Sequence, residues 1–218
     1  MATSKIVSLE EALARFHDGQ TVMIGGFTNV GSPNQFCRAL ADTGIRGLHI
    51  IANDAGNDWQ DGIGTFIVER RAVRLTASHV GLNPVVGQLM NEGVLEVTLV
   101  PQGTLVERIR CGGMGLGGVL TPTGVGTLAA QGKQVISVGG RDYLLELPLR
   151  AEIALIKAWR ADTAGNLVYR RTAKNFNPVM AMAADLVIVQ AEEVVEVGEL
   201  DPDQVCTPAA CVDMVVPL

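Results

Sequence analysis

Along the first hundred residues, short apolar runs alternate with mixed apolar and polar stretches, and each run closes on a loop bearing Gly, Asn or Pro. Ser8-Leu9-Glu10-Glu11 reads as a helix start. Thr21-Val22-Met23-Ile24 predicts a buried strand, followed by Gly25-Gly26-Phe27-Thr28-Asn29-Val30-Gly31. Ser32-Pro33 then predicts an N-cap and a first helical residue, with the helix running through Phe36, Cys37 and Leu40 and stopping near Gly44. Three more strands are expected over Leu48 to Ala52, Val73 to Ala77 and Leu95 to Val100. They end on Asn53-Asp54-Ala55-Gly56, Ser78-His79-Val80-Gly81 and Pro101-Gln102-Gly103-Thr104, and a helix through Leu105, Val106 and Ile109 follows the last. Strand, loop and helix in this rhythm predict an α/β fold: an open, mostly parallel sheet with helices on both faces. Ligands of such sheets bind at the carboxyl ends of the strands, so the four loops are expected to face one crevice.

The second half changes texture. Cys111 to Thr127 holds seven glycines and one proline, too loop-like for an ordinary helix or strand, and opens a small β-rich insertion around residues 110–150. Within it, Val135 to Val138 and Tyr143 to Leu145 flank Gly139-Gly140 as a hairpin. Ile153 to Ala158 and Leu186 to Val189 predict buried strands with a Pro178-to-Ala184 helix between them, and Cys211 to Val216 a terminal strand. With no internal repeat or linker, residues 1–218 read as a single domain.

Composition narrows the function. Aromatic residues are only 4% and the net charge is −6, with no basic run beyond Arg70-Arg71 or Arg170-Arg171, which argues against nucleic acid as a partner. The start Met1-Ala2-Thr3-Ser4-Lys5 has no apolar signal core and no apolar run approaches a bilayer span, so no membrane association and a cytoplasmic location are expected. Cys37, Cys111, Cys206 and Cys211 form no CxxC pair and His17, His49 and His79 stand apart, so neither a disulfide framework nor a metal site is expected.

The Gly25–Gly31 loop has the placement of an anion cradle, backbone N–H groups ahead of a helix N-terminus, and equally that of a tight turn with no ligand. Its spacing is not G-x-G-x-x-G, which excludes the usual dinucleotide fingerprint. No Gly-x-Ser-x-Gly, HExxH or Gly-Lys-Ser motif is present. Of the polar residues at the strand ends, Asn53, His79, Asn83 and Gln102 are the notable ones. Amides hold carboxylates or oxyanions but are neither bases nor nucleophiles, and His79 has no acidic partner nearby in sequence. The residues alone predict a binding crevice without a reactive group.

The stretch Asp18-Gly19-Gln20-Thr21-Val22-Met23-Ile24-Gly25-Gly26-Phe27-Thr28-Asn29-Val30-Gly31-Ser32-Pro33 resembles the signature of family I coenzyme A transferases. That signature is Asp-Gly, two residues, three apolar residues, Gly-Gly-Phe, three residues, Gly, one residue, Pro, and every element is matched. The resemblance continues through Asn53-Asp54-Ala55-Gly56, Ser78 to Gly81, Val100 to Leu105, Thr121 to Thr127, Asn175-Phe176-Asn177-Pro178 and Gly198 to Asp203, and is nearest to alpha subunits that act on short-chain acids.

The resemblance implies a ping-pong transfer of CoA between a short-chain acyl-CoA and a carboxylate through a glutamyl-CoA thioester. It places the nucleophilic Glu in a beta subunit, in a Ser-Glu-Asn-Gly setting; no Glu here precedes Asn-Gly, and Glu92 before Gly93 reads as a helix C-cap. An α2β2 assembly is implied, with CoA as co-substrate and no cofactor. By the same resemblance Asn53 and Gln102 would line the shared site. The loop of Gly25, Gly26, Phe27, Thr28, Asn29, Val30 and Gly31 would take CoA, and Gly113 and Gly115 would wall the pocket. Met114, Cys206 and Ala209 depart from the usual residues and bear on acyl-chain preference. Similar alpha subunits handle 3-oxoadipate and other 3-oxoacids, and the wider fold group contains ligand-sensing domains, so both readings stand beside the first.

Overall fold

The computed structural model describes residues 3–57 and 61–218; Met1 and Ala2, at the start of the stretch read for a signal segment, lie outside the described residues. Helix α1 (Leu9–Leu13) is capped by the Ser8 hydroxyl, which accepts from the Glu11 N–H at 3.1 Å. The first half then builds β1 (Thr21–Ile24), α2 (Asn34–Asp42), β2 (Leu48–Ala52), α3 (Ile63–Val68), β3 (Ala72–Ala77), α4 (Pro84–Asn91), β4 (Glu96–Leu99) and α5 (Gln102–Met114). A three-stranded antiparallel sheet follows, β5 (Val119–Thr121), β6 (Val135–Val138) and β7 (Arg141–Glu146), in the order β5-β7-β6. The chain returns through β8 (Ala151–Asp162), β9 (Leu167–Val168), α6 (Asn177–Met180), β10 (Ala184–Val195) and β11 (Met214–Pro217).

The main sheet has the order β11-β10-β8-β1-β2-β3-β4, all neighbours parallel, with β9 antiparallel on β8. Strand side chains alternate between two apolar layers, as a pleat covered on both faces requires. Val22, Ile24, Ile50, Ile153, Leu155 and Ile188 join one layer with Phe36, Leu40, Phe66 and Leu89 of α2, α3 and α4. Met23, Ile51, Ala154, Ile156, Val187 and Val189 join the other with Leu105 and Ile109 of α5 and Val179 and Met180 of α6. The sheet winds outward in both directions from the β1/β8 boundary, which makes that boundary the topological switch point.

Four sequence expectations are corrected. Helix α2 begins at Asn34 with Pro33 in the cap position and no side-chain cap, because the Ser32 hydroxyl is buried against Gly26 instead of turning to the helix. The glycine-rich stretch after Cys111 is partly helical: α5 runs on to Met114 and ends on Gly115 in the left-handed conformation, φ 68°. A Cβ at Gly112 would overlap the Leu149 carbonyl oxygen, and one at Gly113 would come within 2.8 Å of Met182, so close packing explains these glycines. The helix expected over Pro178 to Ala184 is the single turn α6, because the chain enters β10 at Ala184. The terminal strand starts at Met214, with a 3-10 turn over Ala209–Cys211 before it.

The small sheet is tied to α5 by a buried Glu146, whose Oε1 accepts from Lys133 Nζ at 2.6 Å while Arg108 lies 3.8 Å from Oε2. Gly112→Ala is expected to destabilise the chain by about 1–3 kcal/mol through overpacking. Gly117→Ala, where no atom lies within 4 Å, should stay within about 0.5 kcal/mol of the parent. Urea denaturation of the two variants reads the difference directly, and equal midpoints would remove the packing account of α5.

Candidate active site

The carboxyl ends of β1, β2, β3 and β4 come together around a hydrogen-bonded relay. Asp54, buried after β2, accepts from the Gly56 N–H at Oδ1 (2.8 Å) and from the Thr28 N–H at Oδ2 (2.8 Å). Its Oδ2 also accepts from Asn53 Nδ2 at 2.8 Å. Asn53 Oδ1 in turn accepts from Gln102 Nε2 at 2.7 Å and from the Ser78 hydroxyl at 3.2 Å. The direction of the relay has one physical origin. A carboxylate only accepts, so Asn53 must turn its NH2 toward Asp54, its oxygen toward Gln102, and Gln102 must donate. Gln102 keeps one N–H and its carbonyl oxygen, and its side chain is exposed at the start of α5.

A cleft of about 280 Å³ opens beside it, lined by Phe27, Gln102, Gly103, Val106, Asn175 and Phe176. No carboxylate is among these residues. Asp54 has both oxygens engaged below the surface, and Glu92 lies at the α4-to-β4 turn, the opposite edge of the sheet. There the Gln88 hydrogen bond, with Arg70 beside it, holds the Glu92 carboxyl below its ordinary value. The site therefore carries oriented donors and an apolar wall without a nucleophile among the described residues.

The sequence-derived residues divide by position. Gln102 faces the cleft, whereas Asn53 is 1% exposed and sits behind it as a positioning residue. The Gly25–Gly31 loop spends most of its amides internally. Gly25 N–H donates to Leu155 O, Phe27 and Val30 exchange two bonds of 3.1 and 2.9 Å, and Thr28 N–H goes to Asp54. The loop's contribution to the cleft is the Phe27 ring rather than a row of amides. Thr28 and Asn29 form its tip at φ 44° and 67°, two successive left-handed residues as a type I′ turn requires. A Cβ at Gly25 would overlap Asn177 Oδ1, which is bonded to the Lys157 N–H, so this glycine admits a buried asparagine. Gly113 and Gly115 lie at the far end of α5, eleven or more residues from Gln102 and hence roughly 16 Å or more along the axis, away from the cleft.

His79 is exposed, pairs only through its backbone bridge to Asp54, and has no side-chain partner among the described residues. Asn83 is a buried N-cap: Oδ1 accepts from Val85 N–H while Nδ2 donates to Ala55 O and Asn57 O. Met114 and Cys206 are exposed and outside the cleft. Burial pushes the Cys37 thiol far up, which makes it inert. Sequence reasoning missed Asp54, Asn175 and Phe176 as parts of the site. Their signals were present, an acid directly after a strand-end Asn and an aromatic beside Asn-Pro, but their meeting is tertiary.

Comparison with known proteins decides the family. Residues 6–217 match the family model described as coenzyme A transferase. The chain belongs to the coenzyme A transferase family. Within this family it is 50% identical over 213 residues to the alpha subunit of acetate CoA-transferase from Escherichia coli K12, covering 98% of this chain and 96% of that one. It is 49% identical over 213 residues to the alpha subunit of acetoacetyl-CoA:acetate/butyrate CoA transferase from Clostridium acetobutylicum, covering 98% and 97%. Among solved structures, an acyl-CoA transferase of E. coli O157:H7 in a thioester complex with CoA superposes with a TM-score of 0.87 at 22% identity. That match covers 99% of this chain, which spans about half (47%) of the longer one. Glutaconate coenzyme A-transferase of Acidaminococcus fermentans superposes at 0.85 and 20% identity, covering 98% and 75%. Both share the mostly parallel open sheet of this CoA-transferase chain.

Asp54→Ala is expected to destabilise the chain by about 3 kcal/mol, since three N–H donors, two of them buried, lose their acceptor. Combined with Asn53→Ala it should be clearly less than additive, because the two act in one relay. Denaturant midpoints across the double-mutant cycle measure this, and strict additivity would dissolve the relay into separate contacts.

Proposed function

We propose that this chain is the alpha half of a two-subunit enzyme. It would move CoA between a short-chain acyl-CoA, such as acetoacetyl-, butyryl- or acetyl-CoA, and a carboxylic acid. The observation that carries the reading is a cleft with an oriented Gln102 amide and no carboxylate of its own. A glutamate of the beta partner attacks the thioester carbonyl, expels the CoA thiolate and leaves an acyl-glutamyl anhydride. The thiolate then attacks the glutamyl carbonyl, releases the first acid and leaves a glutamyl-CoA thioester, and the acceptor acid reverses both steps.

Each addition places negative charge on a carbonyl oxygen. The remaining Gln102 N–H is suited to that charge because Asn53 and Asp54 hold the amide before the reaction begins. The apolar wall of Phe27, Val106 and Phe176 excludes water that would hydrolyse the anhydride. A volume of about 280 Å³ is at the small end of ligand pockets and suits a short acyl group. The relatives' names favour the same range, acetate in one and acetate or butyrate in another. A 3-oxoacid acceptor is the second reading, carried by 44% identity over 220 residues to the corresponding chain of 3-oxoadipate CoA-transferase from Acinetobacter baylyi.

Acetoacetyl-CoA consumption with acetate as acceptor is expected only when the chain is mixed with its beta subunit, and Gln102→Ala should lower kcat in that mixture by about 10²-fold. Turnover by this chain alone would overturn the half-site reading, and unchanged kinetics would remove Gln102 from the chemistry. Succinyl-CoA with 3-oxoadipate in the same assay separates the two acid classes.

A further inference from the structure

A second surface depression lies away from Gln102, where the loop after β1 meets β8. It measures about 400 Å³ and is walled by Lys157 and Trp159 of β8, by Arg170 and Arg171, and by Val30 at the end of the glycine loop. Lys157 is paired with Glu192 at 2.8 Å, but neither Arg170 nor Arg171 makes an ion pair among the described residues. Glu192 also lines the depression but is engaged by Lys157, so the two adjacent guanidiniums leave this wall net positive in a chain of net charge −6.

We infer that this depression is where an acidic segment of the beta subunit docks, its carboxylates on Arg170 and Arg171; this rests on the two-subunit reading proposed for the cleft. Three observations favour a protein occupant. The depression and the cleft share one loop: Phe27 lines the cleft, Val30 lines the depression, and the two residues are bonded to each other. A chain that covers the cleft closely enough to deliver a nucleophile overlies that loop tip and reaches the arginines. Next, exposed Phe27 (41%) and Val30 (47%) beside Trp159 and two arginines form the aromatic, apolar and Arg mixture of interface hot spots. A nucleobase has poor access here, since Arg160 and Arg170 already lie over the Trp159 ring at 5.7 and 5.5 Å. Finally, Arg171 in this wall is one of the four non-glycine residues with positive φ among the described residues, at 53°. Such residues persist where the conformation is used.

The test is assembly, measured by titrating the intact beta subunit with wild-type chain and with Arg170→Glu/Arg171→Glu. The double variant is expected to bind about tenfold or more weakly, and wild-type affinity should fall steeply with added salt. Because charge reversal could disturb folding, Arg171→Gly is the second variant. It relaxes the left-handed backbone at φ 53°, so it should leave the melting temperature of the free chain unchanged or raised while still weakening assembly. Gln102→Ala serves as the contrast and should assemble like wild type while losing turnover. Equal affinity of wild type and both arginine variants overturns the docking site and leaves the two-subunit reading intact. So does saturable binding of inorganic phosphate or free CoA at the arginines with assembly unaffected, which would mark a small-anion site. A wild-type chain that forms no complex at all overturns both.

Discussion

The site depends on the burial of one carboxylate. Asp54 is almost fully enclosed and engages three N–H donors from two loops and one side chain. A buried charge is tolerable only when its lone pairs are met, so the Asn53-to-Gly56 turn and the tip of the glycine loop must hold their places around it. Because this group only accepts, it also imposes a direction on the amides beyond it. Gln102 is thereby oriented by a charge it does not touch. The Gln102 amide is thus held in place by residues that follow β2 and β3 and are distant from it in sequence.

Much of the frame was legible in the sequence because apolar runs between turn residues are the signature of covered parallel strands. Thr21 to Ile24 and Leu48 to Ala52 match β1 and β2 residue for residue. Strands β8 and β10 extend further than their apolar runs, since cross-strand pairs such as Arg160 with Glu193 continue the ladder through polar positions. The continuation of α5 through Gly112 and Gly113 was not legible. Nothing local distinguishes a glycine that loosens a loop from one that admits Leu149 and Met182 to a helix face.

The site was legible in its residue types and only partly in their roles. Gln102 stood out as an amide at a strand end, and Asn53 stood out for the same reason, yet one faces the cleft and the other supports it. The glycine loop was legible as a motif, while its amides turn inward and its aromatic outward. These distinctions depend on what lies across the sheet, and a single sequence read by periodicity carries no such information.

The placement of β1 has a consequence for how the chain is made. Its Val22 pairs with Ile50 on one side and with Ile153 on the other. A ribosome adding about 5–20 residues per second needs roughly five seconds or more to travel from the first of these pairing sites to the last. During that interval β1 to β4 can assemble as a four-stranded unit, but the inner edge of β1 has no strand to meet. Its unpaired N–H and C=O groups are the edge a nascent chain must shield until β8 arrives, so the centre of the finished sheet closes only after the β2-to-β4 side is built.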